Sequence, residues 1–148
     1  MKPSRLKIVT TKNAVETARF AACLFKEARL RGVRTFFLTG ELGAGKTVFV
    51  KGLGRALGLT RPVTSPTFVL VSETPGRHGT LIHADLYRLA AGSDFGVLGL
   101  EEYLEDPDNI LAIEWAEKLP KSPVWNAGVC RVSVEGAGTR RRLRVVWS

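Results

Sequence analysis

An α/β fold is predicted, with a mixed sheet that is parallel in the middle and covered by helices, and three observations carry it. Apolar strand-like runs alternate with helix-period segments in the centre of the chain, an order that requires crossovers and hence parallel strands. Two further pairs of runs are joined by short glycine-containing turns, which makes hairpins of them. The chain has 148 residues, 45% hydrophobic and 24% charged, the balance of an ordinary globular protein and suited to one domain over 1–148.

Lys7 to Thr10 reads as a short strand. A helix opens after it at Thr11 or Asn13, since Asn13 and Glu16 have capping-box spacing. Ala14, Ala18, Ala21, Phe25 and Ala28 then recur on one helical face. Arg34 to Thr39 is a compact apolar strand ending at a glycine, and a helix from about Lys46 to Leu57 closes at Gly58. Phe68 to Glu73 and Thr80 to His83 are strand-like runs around Pro75–Gly79, a turn by its proline and glycines. Leu98 to Leu104 is expected to contain a short helix, and Asn109 to Ile113 is an apolar run leading straight into Glu114. Val129 to Val134 and Leu143 to Trp147 alternate around a glycine-rich turn, the second hairpin. Cys23 in the helical pattern and Cys130 in a strand are expected as small core residues.

The longest uncharged stretch, Pro62 to Ser72, is 11 residues, against the ~20 a membrane helix needs, so no membrane span and no signal peptide is expected. Two cysteines are too few for a secreted disulfide scaffold, which makes a reducing cytoplasm the expected compartment. The net charge of +8 is unevenly spread: nine Lys/Arg against two Glu over 1–34, six against eleven acidic residues over 35–117, and seven against one over 118–148. Such basic ends suit a polyanion or acidic partner, or simply a solvated surface.

Chemistry concentrates at Gly40-Glu41-Leu42-Gly43-Ala44-Gly45-Lys46-Thr47, which matches G-x-x-x-x-G-K-[ST] between an apolar strand and a helix. Glycines let such a loop curl so that successive N–H groups face phosphate oxygens, and the helix N-terminus adds partial positive charge. Lys46 would bridge the β- and γ-phosphates, and Thr47 would give its hydroxyl to Mg²⁺. ATP or ADP with Mg²⁺ is therefore the expected ligand. A second acidic residue should end a neighbouring strand, and Glu114 follows its apolar run directly. Asp85, after the Thr80 to His83 run, could reach the same place to orient water or metal.

Taken with Ser65-Pro66-Thr67-Phe68, His83-Ala84-Asp85-Leu86-Tyr87-Arg88, Gly99-Leu100-Glu101-Glu102-Tyr103 and Ile113-Glu114-Trp115 in that order, this loop gives a chain that resembles the bacterial TsaE (YjeE) family over nearly its whole length. That family is the small ATPase of tRNA threonylcarbamoyladenosine synthesis. The resemblance implies a P-loop NTPase fold whose parallel central sheet is extended by antiparallel strands. It also implies weak ATPase activity alone, with TsaB and TsaD as partners that ATP hydrolysis resets between turnovers, and with tRNA reached through that complex. By the same resemblance Lys46 is the phosphate lysine, Thr47 and Glu114 the magnesium pair, and Asp85 the residue assisting hydrolysis. Trp115 is the tryptophan beside the magnesium glutamate, Ser65 to Phe68 a switch-like loop, and the adenine neighbours Thr11 and the C-terminal hairpin loop. Two positions depart from the family pattern: Val48 stands where a second hydroxyl is usual, and Ala116 where proline is usual.

Two other classes compete. A small-molecule P-loop kinase would need a lid bearing arginines, and between Lys51 and Arg131 only Arg55, Arg61, Arg77 and Arg88 are available, none in an evident lid. An RNA-binding module suits the basic ends, but no aromatic-basic stacking motif accompanies them.

Overall fold

The computed structural model describes residues 5–64, 66, 70–90, 95–136 and 138–148. Its elements run β1 (Leu6–Thr11), α1 (Ala14–Leu30), β2 (Thr35–Thr39), α2 (Lys46–Leu57), β3 (Val71–Gly76), β4 (Gly79–Asp85), β5 (Asn109–Glu114), β6 (Val129–Glu135) and β7 (Arg141–Trp147). Among the described residues the strands form one sheet in the order β1-β7-β6-β2-β5-β4-β3. The four middle strands β6, β2, β5 and β4 are parallel, while β3 joins β4, and β7 and β1 extend β6, in antiparallel fashion. The predicted sheet, parallel at its centre with hairpins outside, is the observed one.

Side-chain alternation gives the sheet two faces. Phe36, Leu38, Ala112, Cys130, Val132 and Val145 face α1 and α2 in one apolar cluster. Phe37, Ile82, Leu111 and Ile113 face the other way, covered by Leu100, Ala116 and Trp125 from connecting segments. In this register Glu114 lies opposite both Leu38 and Asp85, so it ends β5 on the helix side of the sheet. The polar ends of β4 and β5 thereby arrive beside the start of α2.

The helices touch closely because Gly52 has no side chain: a Cβ there would stand 2.2 Å from the Ala18 carbonyl oxygen and 2.7 Å from Ala21 Cβ. In a solvated helix Gly→Ala gains up to about 1 kcal/mol. Here the sign reverses, and Gly52→Ala is expected to cost about 1–3 kcal/mol through overpacking. Thermal melting checks this, and a Gly52→Ala protein that melts at or above the wild-type temperature would contradict the packing described.

Local expectations met several corrections. The strand predicted from Phe68 begins at Val71 where it is described, and Thr67, Phe68 and Val69 lie outside the described residues. Pro75 belongs to β3 rather than to the turn, which is only Arg77 and His78; β3 is an edge strand, and an edge tolerates a missing donor. The short helix expected within Leu98 to Leu104 takes the form of a 3₁₀ helix, Glu102–Glu105, which runs one residue past that range, and a second 3₁₀ helix, Phe95–Leu98, precedes it, with Gly99 at φ +64° between them breaking helical continuity. Cys23 is exposed, because α1 buries Ala21, Leu24, Phe25 and Ala28 and leaves position 23 on its outer side. Cys130 is buried as expected, and burial pushes its thiol up to about 12, outside the range of a reactive thiolate.

Candidate functional site

The two helices begin differently. At α1 the Asn13 side chain accepts from the Glu16 N–H at 2.9 Å and Glu16 accepts from the Lys12 N–H at 2.6 Å, so its first turn is satisfied internally. At α2 the capping position is Gly45, with φ +105°, no side-chain cap and no acidic residue in the first turn. Its leading N–H groups are left facing the loop with the partial positive charge of the helix end. Gly40 is equally constrained, since at φ +143° a Cβ would meet the Val134 carbonyl oxygen at 2.3 Å. Glycine is required there for the chain to turn out of β2 past β6.

Lys46 is only 5% exposed. Its Nζ donates to the carbonyls of Gly40 and Glu41 at 2.6 and 2.9 Å and lies 4.4 Å from the centre of the Trp115 ring. Burial holds its pKa below the ordinary lysine value, against the opposing pull of Glu114, Glu117, Asp85 and Glu41. A cation held in this way gains from the arrival of an anion.

Glu114 is 2% exposed and fully engaged. Thr47 Oγ1 donates to its two carboxylate oxygens at 3.0 and 3.2 Å, and His83 Nε2 lies 2.6 Å from Oε2. A carboxylate only accepts, so Nε2 carries the histidine proton; the buried Nδ1 has no partner among the described residues. Asp85 accepts from the Tyr87 N–H at 3.0 Å and neighbours Glu114 across the parallel β4–β5 pair. Trp115, next in the chain, is the only non-glycine residue with positive φ among the described residues, at φ +59°, a conformation costing about 1–2 kcal/mol. Packing against Tyr87, whose ring centre is 5.1 Å away, holds it there, while Lys118 lies over both rings and donates to the carbonyls of Tyr87 and Leu89.

Of the residues singled out from sequence, the fold brings Gly40 to Thr47, Asp85, Glu114 and Trp115 together. Leu42 is exposed, Ala44 buried and Val48 half-buried on the second residue of α2 after Lys46. Thr11 ends β1, its hydroxyl bonded at 2.6 Å to that of Thr17. Ser65, Thr67 and Phe68 of the switch-like loop lie outside the described residues, Pro66 being described. Sequence reasoning missed His83 as a partner of Glu114, although it sits two residues before Asp85 on the same face of β4. It also missed Lys118, whose anchoring role depends on two carbonyls 29 and 31 positions away.

A cleft of about 540 Å³ opens along the loop, bounded by Gly40–Ala44, Trp115 and Glu117 on one side and Ser133–Gly136 on the other. A larger hollow of about 780 Å³ adjoins it around Phe37, Trp125 and Arg131, the two sharing Thr39, Glu117 and Ser133. The uncapped helix end and Lys46 adjoin the first, and oxygen ligands with an ammonium are the chemistry of a phosphate and a hard cation.

Comparison with known proteins bears on the family and the fold. The model of the family described as "Threonylcarbamoyl adenosine biosynthesis protein TsaE" matches residues 11–143. A tRNA threonylcarbamoyladenosine biosynthesis protein TsaE of Treponema pallidum is 39% identical over 109 residues, covering 74% of this chain and 78% of that protein. The protein of the same name from Bacillus subtilis is 40% identical over 115 residues, covering 75% and 70%. The chain spans about half the length of its Nostoc and Synechocystis relatives, 54% and 56%. In three dimensions it is similar to the crystal structure of Bacillus subtilis YdiB, with a TM-score of 0.71 and 28% identity over 99% of this chain and 88% of that one. The strand, glycine-rich loop and helix at the centre of a parallel sheet make this a P-loop NTPase fold.

Proposed function

Since the chain belongs to the TsaE family of threonylcarbamoyl adenosine biosynthesis proteins, we propose that it is a Mg²⁺-dependent ATPase that drives a tRNA-modifying assembly. The observation carrying this reading is the meeting of Lys46 and the Thr47–Glu114 pair at a helix start with no cap of its own. The N–H groups from Gly43 to Thr47 and the Lys46 ammonium bind phosphate oxygens. Thr47 and Glu114 would hold Mg²⁺, which needs only one or two protein ligands when phosphates supply others, and the ion would offset charge on the transferring phosphoryl group. His83 orients the Glu114 carboxylate. Asp85, beside it in register, orients a water that attacks the γ-phosphorus, so that ATP and water give ADP and phosphate.

Hydrolysis by the isolated chain is expected to be slow and to quicken when TsaB and TsaD are both present. Trp115 suits the coupling, because its left-handed backbone holds strain beside the metal glutamate that a partner's binding would release. Trp115→Ala is expected to keep nucleotide binding, to melt a few degrees lower through lost packing, and to support one round of threonylcarbamoyl transfer but not repeated rounds. Multiple-turnover tRNA modification with the reconstituted partners measures this, and sustained wild-type turnover by a folded variant rejects the coupling role.

A further inference from the structure

The stretch from Thr47 to Ala84 lies within the acidic middle of the chain, yet it carries four cations, Lys51, Arg55, Arg61 and Arg77, against one acid, Glu73. The fold gathers those four on one side. Lys51 and Arg55, four residues apart on the exposed side of α2, border a groove of about 610 Å³ together with Arg61 from the segment after the helix. Arg77 joins them through the β3–β4 turn, whose Arg77 and His78 N–H groups donate to the carbonyls of Gly58 and Leu57 at 2.9 Å and seat the turn on the end of α2. A Cβ on Gly58 would stand 3.1 Å from Arg77 Cβ, so the arginine stands against a glycine that lines the groove.

Among the described residues the ion pairs are Arg31–Glu27 and His83–Glu114, and none of the four cations belongs to either. Glu73 lies opposite Ile82 in the β3–β4 register, which turns it to the sheet face away from the helices, where it meets the Tyr103 hydroxyl. Arg61 gives one of its five N–H donors to the Glu73 carbonyl at 2.7 Å, a neutral acceptor. Positive charge gathered around a concavity in this way attracts a polyanion. The make-up of the groove selects among polyanions. Protein interfaces centre on buried apolar anchors, and among the described residues none of the exposed large hydrophobic side chains lies here. Nucleic-acid phosphates need only spaced cations and hydrogen-bond donors.

We propose that this groove binds the sugar–phosphate backbone of RNA directly, with Lys51, Arg55, Arg61 and Arg77 as its phosphate contacts. This rests on the tRNA-modifying role given above, which supplies the RNA, and it adds a contact that does not pass through a partner protein. The groove is separate from the nucleotide site: at about 1.5 Å of rise per residue, Arg55 stands about 13–14 Å along α2 from Lys46. One helix therefore begins at the phosphate loop and ends at the groove.

Fluorescence anisotropy of a labelled tRNA transcript, titrated with the whole chain without nucleotide at several salt concentrations, tests the assignment, with melting as the folding control. Lys51→Gln combined with Arg55→Gln keeps good helix formers at both positions. The pair is expected to raise the Kd about tenfold at about 0.1 M salt and to lower the slope of log affinity against log salt by about 1.4–1.8. Its ATP hydrolysis without RNA should equal that of the wild type. Arg140→Gln combined with Arg142→Gln, at exposed positions of the C-terminal hairpin, removes the same charge elsewhere and should cost clearly less. No tRNA binding by the wild type, or wild-type affinity and slope in the groove variant, would overturn the proposal. So would a groove variant that keeps tRNA but loses TsaB and TsaD, which makes the groove a protein interface. An equal or larger loss in the hairpin variant would overturn it by tracing binding to total charge. A wild-type chain that leaves tRNA unmodified in the presence of TsaB and TsaD would overturn the reading on which the proposal rests.

Discussion

Lys46→Ala should lose nucleotide affinity by roughly 10²-fold or more, the largest effect expected of any single substitution in the loop. In the free protein the ammonium is held by two backbone carbonyls and the face of Trp115 in a position only 5% exposed. When it turns to phosphate it gains two charge-assisted contacts, each worth about 1.5–3 kcal/mol. The lowered pKa adds a pH signature whose sign is fixed by linkage. Burial depresses the free-state value below the ordinary 10.5, and bound phosphate raises it again. Below the free-state pKa the lysine is protonated in both states and affinity is flat. Above it, binding must take up a proton, so affinity falls with rising pH until the bound-state pKa is passed. Titrations of MgATP across the alkaline range should show this fall in the wild type, beginning below pH 10.5. Unchanged calorimetric affinity in Lys46→Ala would sink the assignment of the loop.

Glu114→Gln should cut ATP turnover by roughly 10²-fold, several kcal/mol of transition-state stabilisation, and move the Mg²⁺ requirement to higher concentration. The amide is the informative substitution because of what surrounds the carboxylate. Its carbonyl oxygen can still accept from Thr47 or His83, so the fold should survive. Glu114→Ala would instead strand a buried His83 N–H, at a cost of about 1–3 kcal/mol, and mix a stability effect with a chemical one. Asp85→Asn supplies the contrast, since losing a water-orienting group should leave the Mg²⁺ dependence and nucleotide binding nearly intact while lowering turnover. Kinetic titration with Mg²⁺ separates the two roles. If both variants hydrolyse ATP normally, alone and with the partner proteins, the catalytic half of the reading is wrong.

The physical basis of these expectations was unevenly visible before the fold was known. Gly40 to Thr47 can be recognised from sequence because its chemistry is local. Consecutive N–H groups, three glycines with positive φ and a lysine at the helix start need only the conformation of eight neighbouring residues. Glu114 and Asp85 could be nominated because each follows an apolar run, and the end of a strand is a defined place. The sheet's character could be read too, since apolar alternation separates central strands from hairpins.

Strand order belongs to the tertiary structure alone. The positions of β5 beside β2, of β4 beside β5, and of β7 and β1 beyond β6 are set by packing across long sequence separations, which local propensity does not encode. Those neighbours bring His83 to Glu114, Thr47 to the same carboxylate 67 positions away, and Arg141 to Gly43 98 positions away. They also place Trp115 over Lys46 in a left-handed conformation that no propensity would assign to tryptophan. Backbone chemistry within one turn is written in adjacent residues, but the electrostatics of a buried site depend on which distant chains share its low-dielectric space, and only the assembled core decides that.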